Sequence, residues 1–201
     1  MNAAKIRLSS EEAALIERSD WILTKNSIIV KVQKLFECLQ IRQQQWVSPL
    51  FDQHPSIAKY YPKISKGENY RGLPYLVLDH PRCFEKNGAI AIRTMFWWGH
   101  FFSTTLLLSG VFKDEYGPKI IASFDLLAIE KYSIGVNTDP WLHHFGPDNY
   151  KEVALITKDL FEDECNKAGH LKIAKTISLK DGYPQQKLFE NWTELATVCF
   201  A

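Results

Sequence analysis

Asp139-Pro140-Trp141-Leu142-His143-His144 is the densest run of metal-ligand and acid–base side chains in the sequence. Carboxylate and imidazole are both suitable ligands for zinc and other divalent ions. The spacing is that of no recognised motif. His143 and His144 are adjacent, so an extended chain sends them to opposite sides, and neither HExxH nor an i, i+4 helical pair is present. Metal binding at Asp139, His143 and His144 would need a further ligand from elsewhere. The plainer expectation is a capping loop, with Trp141 as a plug over the core.

Two other groups carry polar chemistry. Asp79, His80 and Arg82 combine a carboxylate, an imidazole and a guanidinium beside a strand end, which suits acid–base work or anion binding. The plainer expectation is a hydrogen-bonded turn before Pro81, since nothing adds a nucleophile. Arg71, Arg93, Trp98 and His100 are the candidate ligand-binding residues, beside the plainer reading of the tryptophans as core or sheet-covering side chains. Aromatic walls with an arginine hold planar or anionic molecules. Adjacent strand residues point to opposite faces, so at most one of Trp97 and Trp98 faces a given pocket.

Arg93 is the most informative single charge. It lies among apolar residues in the middle of a strand, and an unpaired buried guanidinium is very costly. It therefore requires an anion. Asp125 and Glu130 are the expected partners; the alternative is a ligand carboxylate or phosphate.

Several catalytic signatures are absent. There is no GxGxxG after a strand, no GxxxxGK[ST] loop and no GxSxG elbow. The strand aromatics lack the basic companions of an RNA-binding sheet. With 24 basic and 23 acidic residues the net charge is +1, so no overall field attracts nucleic acid or an anionic membrane. The one basic cluster, Lys59, Lys63, Lys66 and Arg71, is diffuse and reads as a solvated loop.

Cys38, Cys83, Cys165 and Cys199 form no paired spacing, which argues against a disulfide framework or a structural zinc site. The N-terminal residues lack an apolar signal core, and no window reaches the length of a membrane span. A cytoplasmic location is expected.

The elements that must position these residues follow from periodicity. At 201 residues the chain suits one domain, 1–201, with a helical hairpin over 1–46 packing on a sheet and flanking helices over 73–201. Ser9 and Glu12 have capping-box spacing. Leu15, Ile16, Ile22 and Leu23 then recur at seven-residue intervals, and Asn26 is placed to cap a second helix with Ile28, Val32, Leu35, Phe36 and Leu39 on one stripe. The proline- and glycine-punctuated segment 47–72 reads as loop.

Strands are expected over Leu73–Asp79, ended by Pro81, then Ala89–Trp98 and Phe101–Ser109. A two-residue turn at Gly99-His100 would pair Trp98 with Phe101. That register places Arg93, Met95, Trp97, Phe102, Thr104 and Leu106 on one face. It also puts Asp79 and His100 at opposite ends of the sheet.

Pro118 is expected in the first turn of a helix, and Asp148 at the cap of another. A strand over Leu171–Leu179 and a final helix after Pro184 complete the order. The expected class is α+β, with a mainly antiparallel sheet and a central β-hairpin covered by N- and C-terminal helices.

No cofactor is indicated. The functional expectation is a non-catalytic domain that binds a small ligand or a protein, with homo-oligomerisation as a further reading. The rival is a hydrolase or transferase using acid–base or metal-assisted chemistry at the Asp/His loop.

Overall fold

Apolar residues at nearly every position of 75–79 and 89–98 demand cover on both faces of the strands that contain them. The computed structural model describes residues 7–51, 55–58, 60–167, 169–182 and 184–200, so Lys59 of the basic cluster lies outside the described residues. The strands are β1 (Lys63–Tyr70), β2 (Leu73–Glu85), β3 (Gly88–Trp97), β4 (Phe101–Gly110), β5 (Ser133–Gly135), β6 (Tyr150–Glu152) and β7 (His170–Ser178). The helices are α1 (Ser10–Glu17), α2 (Ser19–Phe51), α3 (Pro55–Ala58), α4 (Val111–Ala122), α5 (Phe124–Ile129), α6 (Lys158–Asn166) and α7 (Gln185–Phe200). The strands form one antiparallel sheet in the order β1-β2-β3-β4-β7-β5-β6. With N- and C-terminal helices flanking it, the fold is α+β.

The two faces of the sheet are covered by different means. Leu76, Leu78, Ile90, Ile92, Phe96, Phe102, Leu106, Leu108, Leu171, Ile173 and Ile177 pack against α2 and α4–α7. The opposite face carries Val77, Asp79, Arg93, Met95, Trp97, Thr105 and Lys172. It is roofed by the loop of residues 136–149. Lys175 breaks the apolar phase of β7 on the helix side, where it reaches Glu130 at 3.1 Å and Glu194 at 3.8 Å.

Several expected boundaries differ from those observed. The β3–β4 connection has three residues, because Trp97 pairs with Phe101. His100 N donates to Trp97 O at 3.1 Å, and Gly99 takes φ +75° at the third turn position, as a type II turn requires. The slip of one residue exchanges the faces of β4: Ser103, Thr105 and Leu107, rather than Phe102, Thr104 and Leu106, lie beside Arg93.

Pro81 does not end β2. A bulge sets His80 and Pro81 opposite Ile92, where the missing proline N–H is not needed for pairing. Residues 63–70, expected as loop, form the edge strand β1. Its hairpin turn at Arg71-Gly72 has φ +50° and +82°, as a type I′ turn requires.

The N-terminal helices meet at Arg18, and Asn26 lies inside α2. Pro118 is interior to α4, whose Phe112, Tyr116 and Ile120 are buried at i, i+4 and i+8; packing outweighs the lost hydrogen bond. Thr157, not Asp148, caps the following helix, accepting from Leu160 N at 3.3 Å.

The passage from β4 into α4 depends on Gly110. Its φ is +53°, and a Cβ there would stand 1.9 Å from Asn87 O. Gly110→Ala should therefore lower the unfolding free energy by about 3 kcal/mol. Gly117→Ala, whose Cβ would meet only Lys113 Cγ at 3.9 Å, should raise it by about 0.5–1 kcal/mol. Urea denaturation of the two variants checks both signs.

Candidate functional site

The polar cluster starts from a cross-strand pair. Asp79 on β2 lies opposite Arg93 on β3. Arg93 Nε and Nη2 donate to the two carboxylate oxygens at 2.7 and 2.8 Å, a bidentate pair with little exposure. Asp125 and Glu130, the partners expected from the sequence, do not serve: Glu130 is on the helix face, bound to Lys175.

Arg93 Nη1 is 3.1 Å from His143 Nε2. A guanidinium can only donate, so this nitrogen must be unprotonated and the ring neutral. Burial and then the charges of Arg93 and Lys172 hold the His143 pKa down at about 3. Lys172 is buried beside them. Its Nζ donates to Leu142 O at 2.6 Å and stands 4.8 Å from the Tyr150 ring centre. Burial lowers its pKa to about 8, with Asp139 opposing and Arg93 reinforcing the shift.

The roof is fixed by further bonds. The Tyr70 hydroxyl accepts from His143 N at 2.7 Å and from His144 N at 3.2 Å. Asn149 Nδ2 donates to Leu142 O and His144 O. Asp139 accepts from Trp141 N at 2.8 Å, which makes it a turn cap. His144 Nδ1 accepts from Gly146 N, and its Nε2 is 3.8 Å from Asp148. Asp139, His143 and His144 are thus each engaged in a different direction. Among the described residues no group of three or more His, Cys, Asp or Glu side chains is placed to hold a metal ion.

The other expected residues are spread around this cluster. His100 is exposed and stacks on Trp97, with ring centres 3.6 Å apart; Trp97 in turn meets Tyr70 at 5.0 Å. Trp98 turns to the helix face and packs edge-on against Phe96. Arg71 is exposed in its hairpin turn, close enough to His144 to lower its pKa after burial. Because β2 runs on past Pro81, Asp79 is not at the sheet end; Arg93 and Trp97 are four positions apart, about 13 Å. The space between Phe84, Arg93, Trp141, His143 and Lys172 is a small cavity of about 10 Å³, room for about one water. Lys172 had no sequence signal, since it alternates out of an apolar strand like any solvent-facing lysine.

A second feature lies in the N-terminal helices. The capping box of α1 is formed: Ser9 N donates to Glu12 Oε2 at 2.6 Å, and Glu12 N to Ser9 Oγ at 3.2 Å. Yet α1 buries none of its residues. Leu15 and Ile16 on α1, with Trp21, Ile22 and Leu23 on α2, are 40–68% exposed. The break at Arg18 separates apolar residues that seven-residue spacing had assigned to one helix face.

Comparison with known proteins finds no matching family model, curated protein or solved structure.

The cluster predicts two measurable behaviours. Arg93→Met leaves Asp79 buried and unpaired and should cost about 3 kcal/mol of stability. Adding Asp79→Leu should recover much of that loss, so the double variant falls well short of additivity in a mutant cycle. His143 contributes stability that is present above its unfolded pKa and is lost as the pH falls from about 6.5 toward about 3. Between pH 7 and pH 5 the loss should be about 2 kcal/mol, and His143→Gln should be flatter than wild type by that amount in urea titrations.

Proposed function

We propose that the chain is a non-catalytic protein-interaction domain whose contact surface is the helical arm formed by α1 and the first turns of α2. One observation carries this reading. A helix with a complete capping box buries none of its own side chains, and its apolar residues continue onto Trp21, Ile22 and Leu23. Exposed apolar side chains grouped in this way mark surfaces that meet another molecule. The sheet edges are less suited to that task. β1 carries exposed Lys63 and Lys66, a common protection against strand addition, and the β6 edge is three residues long.

The polar cluster supports binding by the arm rather than chemistry under the roof. His143 faces a guanidinium and not a carboxylate, and Arg93 already holds Asp79 in a bidentate pair. A ligand at Arg93 would have to displace the 136–149 loop and the bonds that anchor it. The four cysteines form no disulfide, which suits the reducing cytoplasm.

Photo-crosslinking residues at positions 16 and 23 of the protein in living cells test this reading. Discrete crosslinked species are expected at both positions, with none from the exposed position 152 on β6, the sheet edge opposite β1. No crosslinked species at either arm position would reject it. Ile16→Asp should abolish crosslinking from position 23 while changing stability by less than about 0.5 kcal/mol, because Ile16 is 68% exposed.

A further inference from the structure

The proposed interaction surface has a sequence order that selects a partner. The buried stripe of α2 consists of Val32, Leu35, Phe36 and Leu39, with Ile28 partly covered. On the opposite, solvent side, Asp20, Leu23, Ser27, Val30 and Lys34 recur at alternating steps of three and four residues and so form one helical row. All five are exposed; Leu23 is 64% and Val30 52% exposed. Among the described residues Asp20 has only Arg18, itself 67% exposed, as ion-pair partner, and Lys34 makes no ion pair.

Along the helix this row reads acid, apolar, small, apolar, base. Reversed, it presents base where it had acid. We infer that α2 pairs with α2 of a second copy of the chain, antiparallel, about a twofold axis at Ser27.

Antiparallel pairing sets Asp20 opposite Lys34 of the second copy at both ends. Leu23 then lies against Val30 of the second copy, and the two Ser27 side chains meet at the axis, where small residues let the helices approach. Parallel pairing would stack acid on acid and base on base. A twofold arrangement is isologous and closes as a dimer, so no filament follows. The row from Asp20 to Lys34 is about 21 Å long at about 1.5 Å per residue. One such seam buries less than the roughly 800 Å² per partner of a standard stable interface, so the dimer is weak and salt-sensitive.

This inference rests on the reading of the arm as the contact surface. Sedimentation velocity on the intact protein, from low micromolar to near-millimolar concentration, tests it. The expected result is a weight-average mass that climbs toward twice the 23.2 kDa monomer, and falls back in high salt. Leu23→Glu should hold the protein monomeric. Lys34→Glu should weaken the dimer about tenfold, and Asp20→Lys added to it should restore association. Circular dichroism confirms that these exposed-site variants remain folded.

A wild-type protein that stays monomeric throughout, or a dimer indifferent to Leu23→Glu, overturns the second-copy assignment. If the wild type is monomeric while positions 16 and 23 crosslink to a different protein, only the identity of the partner is wrong. Absence of crosslinks at both positions removes the arm itself.

Discussion

A guanidinium in the middle of a central strand sets the terms for one whole face of this sheet. Arg93 offers donors in a rigid fork and accepts nothing, so each N–H directed inward must find an acceptor. Asp79 supplies two, and it stands opposite Arg93 because the β2 bulge lies just beyond it. The next acceptor is a histidine nitrogen, which forces His143 to remain neutral. That requirement pins the 136–149 loop over the sheet. Tyr70 and Lys172 then act on the backbone of the same loop, at His143, His144 and Leu142. The roof is therefore a consequence of one buried charge and the chain of acceptors it requires.

The bulge has a second effect. Before it, even-numbered residues of β2 face the helices; after it, the odd-numbered Cys83 does, and Phe84 joins Trp141 on the loop side at 6.0 Å. His80 falls at the changeover. It stacks on Trp192 with ring centres 5.9 Å apart and offers its carbonyl to Trp192 Nε1. One inserted residue thus lets β2 meet α7 on one face and the polar cluster on the other. Without it, every side chain beyond Asp79 would exchange faces.

The α+β class and the helical stripes of α2 and α7 were legible in the sequence because they rest on local period: Leu188, Trp192, Leu195 and Cys199 are buried as their spacing requires. The need of Arg93 for an anion was legible too. Its partner was not, because Asp79 becomes its neighbour only through strand register, and register depends on turn geometry. Gly99 suits both the first place of a two-residue turn and the third place of a type II turn; the difference of one residue decides which side of β4 meets Arg93. By its sequence Pro81 is a terminator, because a proline cannot serve regular pairing, and only the bulge makes room for it. Lys172 had no signal at all, since burial of its amine depends on a loop some thirty residues away.

The arm shows the complementary limit. Ser9, Glu12 and the apolar spacing that follows specify a helix, and those signals act within a few residues of one another. They say nothing about what the helix covers. Among the described residues none supplies that cover: α2 reaches the sheet through Ile28, Val32 and Leu35, while Leu15, Ile16, Trp21, Ile22 and Leu23 stand exposed. A helix end that served only to finish the core would have no use for Trp21, Ile22 and Leu23 in succession, because solvent there favours polar side chains. The arm is thus held by local signals at its start and by the core further along, and the exposed apolar residues between those anchors are the ones on which the proposed contact rests.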